Sequence, residues 1–136
     1  MAGRATMIIL GIRTDKPLAE LYLYKGNEQI AQTQWLAHRE LSSTIHEQID
    51  KILNKSRISL KDIDGIVCFK GPGSFTGLRI GITVANAIAY AQSIPIVARG
   101  GDDWLKKAIN DLVSGKTAKI VTPYYDRPAT VSPPKK

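Results

Sequence analysis

Cysteine is almost missing from this sequence: Cys68 stands alone. That excludes a disulfide framework within the chain and a metal site built on cysteines. Histidine is nearly as scarce, with only His38 and His46, and two histidines so spaced make no metal centre by themselves. No apolar stretch approaches the roughly 18 residues of a membrane span. The apolar run from Met7 to Ile12 is too short for a secretion signal and leads straight into patterned structure. A cytoplasmic protein without a membrane partner is the expectation. Acids are under-represented, with 12 Asp plus Glu against 19 Lys plus Arg and a net charge of +7. That balance favours a polyanion or an acidic protein as partner. What is present in quantity is apolar side chain, 43% of 136 residues, enough for one folded domain with a real core.

The chain is organised around Lys70-Gly71-Pro72-Gly73-Ser74-Phe75-Thr76-Gly77-Leu78-Arg79-Ile80-Gly81. An apolar run from Ile63 to Phe69 precedes it, and a stretch without proline or acid, Thr76 to Gln92, carries it on. This reads as strand, tight glycine turn, helix. Gly71, Gly73, Gly77 and Gly81 mark places where a side chain would obstruct a close neighbour or an unusual backbone angle. Ser74 and Thr76 are candidate helix caps. Such a turn can be purely structural, can seat an anion, or can set up a docking surface.

Elsewhere the pattern is regular. Met7–Ile12 is a central strand. Leu18–Tyr24 is a second, with Leu21 and Leu23 on one face and Tyr22 and Tyr24 on the other. Gly26-Asn27 suits a hairpin turn, and Gln29–Leu36 returns as a third strand. Glu40–Lys55 is a helix whose stripe is Leu41, Ile45, Ile49 and Ile52 or Leu53. Gly65–Phe69 is a buried strand. In the second helix Gly77, Gly81, Ala85 and Ala89 form a stripe of small residues flanked by Leu78, Ile82, Val84 and Ile88, which permits close approach by a sheet or another helix. A strand within Ile94–Ala98 follows, then a helix over Gly101–Leu112 and a short strand at Lys119–Thr122. The predicted fold is α/β: a mixed five-stranded sheet with three antiparallel strands first and helices on its faces. That is the ribonuclease-H-like arrangement, as in one lobe of actin-like ATPases. Residues 1–122 form the lobe, and 123–136 a proline- and lysine-rich tail.

Several chemistries fail on the residues. No lysine follows the glycines as a phosphate-binding loop requires, and the glycine spacing is not that of a dinucleotide fingerprint. Arg13 stands where a nuclease of this topology, or an actin-like ATPase, would place an acid to order metal. Ser74 lacks the nucleophile-elbow context. No catalytic residue, cofactor or metal is expected. Arg79, Lys106 and Lys107 are candidate nucleic-acid contacts among the basic residues.

The turn from Gly71 to Gly81 resembles the signature of the TsaB (YeaZ) family of tRNA threonylcarbamoyladenosine biosynthesis proteins. His38-Arg39-Glu40-Leu41, Leu60–Ile66, Ile94–Val97 and Pro123–Arg127 resemble further family segments in the same order, and Leu10–Thr14 does so with Arg13 in place of an aspartate. The resemblance implies one actin-like lobe of a protein that usually has two. It implies a non-catalytic subunit that binds a TsaD-like catalytic subunit, acts with a TsaE-like ATPase, meets tRNA indirectly and can form a homodimer. The expected partner surface lies on the first two helices, at Leu41, Ile45, Ile49, Phe75, Leu78, Gly81, Ile82 and Ala85. Gly71, Pro72, Gly73, Ser74 and Gly77 form the structural turn that presents it. An ATP-binding actin-like lobe and a basic tRNA-binding module are the alternatives.

Overall fold

The computed structural model describes residues 6–37, 40–73 and 75–117, with Phe75 by its backbone alone. Three strands come first: β1 (Ile8–Arg13), β2 (Leu18–Lys25) and β3 (Glu28–Leu36). They form an antiparallel meander. The hairpin between β2 and β3 turns on Gly26, whose φ of 61° suits glycine, and its N–H donates to the Met7 carbonyl. Helix α1 (Leu41–Lys55), a single 3-10 turn at Leu60–Asp62, and strand β4 (Gly65–Phe69) follow. Then come α2 (Phe75–Gln92), β5 (Ile96–Arg99) and α3 (Trp104–Val113). The strand order is β3-β2-β1-β4-β5, with β4 parallel to both β1 and β5.

The predicted meander, both long helices and the buried β4 all form. Differences are local. β1 is displaced by one residue. α3 starts at Trp104, because Gly101 takes a φ of 86° and residues 101–103 make the turn before the helix. Asp103 sits at its N-cap without a side-chain cap bond. The expected strand at Lys119–Thr122, the tail and its tyrosines, His38 and the Ser74 cap lie outside the described residues.

Helices α1 and α2 touch one another and cover one face of the sheet, while α3 packs on the other face against β4 and β5. Side-chain parity produces this division. Leu21 and Leu23 point toward the α1 side and are fully buried. Tyr22 points the other way, toward Trp104 of α3. On the α3 face, Gly11 lies under Leu105, and Gly65 lies so close under Leu112 that a Cβ there would sit 2.6 Å from its Cδ2. The α1 stripe (Leu41, Ile45, Ile49, Ile52 and Leu53) is buried against the sheet, each such side chain contributing about 2 kcal/mol of burial. Cys68 lies in the core, where burial pushes its thiol up to about 12.

Candidate functional site

The carboxyl ends of β1, β4 and β5 meet on one side of the molecule, where open parallel sheets bind ligands. At the end of β1 the guanidinium of Arg13 donates through Nε to Asp15 Oδ1 at 2.7 Å and through a terminal nitrogen to Oδ2 at 3.2 Å. The same group lies 3.9 Å from the centre of the Phe69 ring. Phe69 meets Trp104 edge-on at 5.7 Å, and Trp104 meets Tyr22 at 6.2 Å. The Tyr22 hydroxyl donates to Glu20 at 2.6 Å, and Lys16 lies 3.7 Å from the other Glu20 oxygen. Burial, then the bond to Glu20, raises the Tyr22 hydroxyl above the ordinary tyrosine range. For Arg13, burial works against the charge, but the Asp15 bond and charge outweigh it and raise its pKa. The strand-end carboxylates are thus engaged by cations and a hydroxyl of the same chain. Among the described residues no group of three or more His, Cys, Asp or Glu could hold a metal ion.

The glycine turn is explained by what lies against it. Gly71 has a φ of 114° and is followed by a cis peptide to Pro72. A Cβ on Gly73 would stand 2.5 Å from the Cβ of Asp15. A Cβ on Gly81 would collide with the Thr14 hydroxyl, which itself donates to the Gly77 carbonyl at 2.6 Å. Gly100 after β5 faces the Gly71 carbonyl in the same way. The turn, the loop after β1 and the first turns of α2 therefore interlock at backbone distance. Gly100, Asp15 and Thr14 are the partners that sequence reading did not single out.

Leu41, Ile45, Ile49, Leu78, Gly81, Ile82 and Ala85, expected at a partner surface, all lie in the core of the chain itself. They position the helices, and α1 and α2 offer solvent the residues beside them. Between the helices runs a cavity of about 370 Å³ lined by Ser42, His46, Thr76, Arg79, Ile80, Thr83 and Val84. Further along α2, Tyr90 is 88% exposed. A second hollow, about 810 Å³, opens at the starts of both helices and includes Thr14, Lys16, Leu36, Glu40 and Thr76. Arg79 lies on the α1–α2 side, whereas Lys106 and Lys107 are exposed on α3, across the sheet. The three candidate nucleic-acid contacts do not converge.

The fold is a single α/β lobe with the mixed five-stranded sheet and flanking helices of the actin-like arrangement. A family model described as TsaD, tRNA N6-adenosine threonylcarbamoyltransferase, matches residues 29–98. The TsaB biosynthesis protein of Haemophilus influenzae is 33% identical over 92 residues, 68% of this chain and 38% of that one. The threonylcarbamoyltransferase of Geotalea uraniireducens is 41% identical over 61 residues, 45% of this chain and 18% of its own. The solved YeaZ structure from Pseudomonas aeruginosa superimposes with a TM-score of 0.65 at 23% identity, covering 69% of this chain and 44% of that one. The chain belongs to this family of tRNA threonylcarbamoyladenosine proteins, in its TsaB (YeaZ) branch. Its match spans about two fifths of the length of the TsaB relatives, 38% and 40% for those of H. influenzae and Bacillus subtilis.

Proposed function

We propose that the chain is a non-catalytic subunit of the tRNA threonylcarbamoyladenosine machinery, which holds a TsaD-like catalytic subunit through the α1–α2 face. A TsaE-like ATPase joins that complex, and tRNA is met through it. The observation that carries this reading is the α1–α2 face. It exposes an aromatic side chain and a cation-bearing groove, while the apolar stripes beneath are consumed in holding the two helices to the sheet. The nucleotide-binding alternative is disfavoured by the strand end, where Arg13 holds Asp15 and lies over Phe69. A direct tRNA module is disfavoured by the separation of Arg79 from Lys106 and Lys107.

Co-expression with the TsaD-like subunit of the same organism tests the reading. A stable complex is expected by size exclusion with light scattering. Arg79→Glu and Tyr90→Asp should weaken it by tenfold or more, on the order of 1.4 kcal/mol, with the melting midpoint of the isolated chain unchanged. No complex with the wild-type chain refutes the proposal. Titration calorimetry with ATP and magnesium should give no heat of binding; tight binding favours the actin-like ATPase alternative instead.

A further inference from the structure

Arg79 is the only charged residue in α2, so its own helix offers no acid one turn away. Among the described residues it has no ion-pair partner on α1 either, where Glu47 is taken by Lys51 at 3.4 Å. The groove around Arg79 collects donors instead. Ser42 and His46 of α1 and Thr76 and Thr83 of α2 line it, all exposed, and its lining contains no Asp or Glu. The rest of its wall is apolar. Tyr90 lies eleven residues beyond Arg79 on the same side of α2, because eleven steps of about 100° return to within about 20°. The rise between the two is about 16 Å. A trough between two packed helices fits a third helix laid along it. Docking there strips water from Arg79, and a buried charge without a counterpart is strongly unfavourable.

We propose that the α1–α2 groove reads a partner helix by one carboxylate, an aspartate or glutamate that pairs with Arg79. An apolar side chain about eleven residues from that acid lies against Tyr90, since the two helices run nearly side by side. The inference rests on the docking of a TsaD-like subunit at this face and names the chemistry that subunit brings. The guanidinium takes a carboxylate through two parallel N–H donors. The hydroxyls of Ser42, Thr76 and Thr83 and the ring N–H of His46 are at hand for the remaining lone pairs. A helix with lysine or arginine at that position is rejected by like charge, which gives the surface selectivity. A free phosphate could use the same donors, but it would leave Tyr90 and the apolar wall uncovered.

Charge exchange in the co-expressed pair of full chains tests this. Arg79→Glu should weaken the complex roughly tenfold. Against it, each helical Asp or Glu of the TsaD-like subunit is changed to Arg in turn. One such reversal should weaken the wild-type pair by itself, yet bring the Arg79→Glu pair back to within about threefold of wild type. The same reversal should not rescue Tyr90→Asp. Arg79 and Tyr90 are exposed in the isolated chain, and unchanged circular dichroism and melting midpoint verify folding. A wild-type pair that forms no complex refutes both the docking and the carboxylate. A complex that Tyr90→Asp weakens but Arg79→Glu does not, or that no acid reversal restores, overturns the carboxylate and leaves the docking intact. Binding of inorganic phosphate to the isolated chain by titration calorimetry, lost in Arg79→Glu, would assign the groove to a small anion and overturn it as well.

Discussion

Arg13 shows how a single residue redirects a site. At the end of a central parallel strand a carboxylate could order a metal, but the guanidinium here recruits Asp15 and stacks on Phe69. Removing it leaves the Asp15 carboxylate, 7% exposed, without its charged partner. Arg13→Ala should cost roughly 2 kcal/mol in urea denaturation, and Arg13→Ala with Asp15→Asn should recover part of that loss; simple additivity would show that the pair is not coupled. Gly81 is a second such residue. Gly81→Ala adds helix propensity but drives a methyl into Thr14. A net loss of about 1–2 kcal/mol is expected, relieved when Thr14→Ala is added. At alkaline pH, Cys68 and Tyr22 have raised pKa values in the folded chain. Each therefore contributes stability that is complete below its unfolded value, 9.0 for the thiol and 10.0 for the phenol, and that fades as pH rises toward the folded values. The melting midpoint should fall from pH 9 upward, with a shallower slope for Cys68→Ala over pH 9–11. An unchanged slope would contradict the assignment.

Among the elements, α1 and α2 do different work. α1 is amphipathic with one compact apolar stripe, so its helical period and inward face are both legible from residue spacing. Ile45→Ala, at a fully buried position, should cost about 3 kcal/mol by equilibrium unfolding. A cost below about 1 kcal/mol would mean that α1 is not held by its stripe. α2 is apolar over most of its surface, and spacing could not say which small residues faced the sheet. The Gly77–Ala89 stripe proved to face inward because β1 ends in Thr14, whose hydroxyl requires backbone proximity at Gly77 and Gly81. For α3, the helix expected from Gly101 begins only at Trp104, because Gly101 takes a left-handed φ. The β3 irregularity near Ile30 had no sequence signal, since it arises from the register of pairing with β2.

For the whole molecule, the sheet separates two sets of cations. Lys106→Glu with Lys107→Glu, on the α3 face, should leave capture of a TsaD-like subunit unchanged in the same co-expression assay, unlike Arg79→Glu. Equal loss from both would mean that charge in general, not the α1–α2 face, governs binding. The meander, the glycine turn, the buried β4 and the inward stripe of α1 were determined by sequence alone. Each is a local matter of period, turn chemistry or unbroken apolar content. Only the tertiary structure decided the fate of residues distant in the chain. It brought Asp15 against Gly73, Thr14 against Gly81 and Arg13 over Phe69, and so fixed which helix residues are consumed in the core and which are left to solvent. Such contacts depend on how strands pair and which face each helix covers, and side-chain spacing along one element carries no information about either.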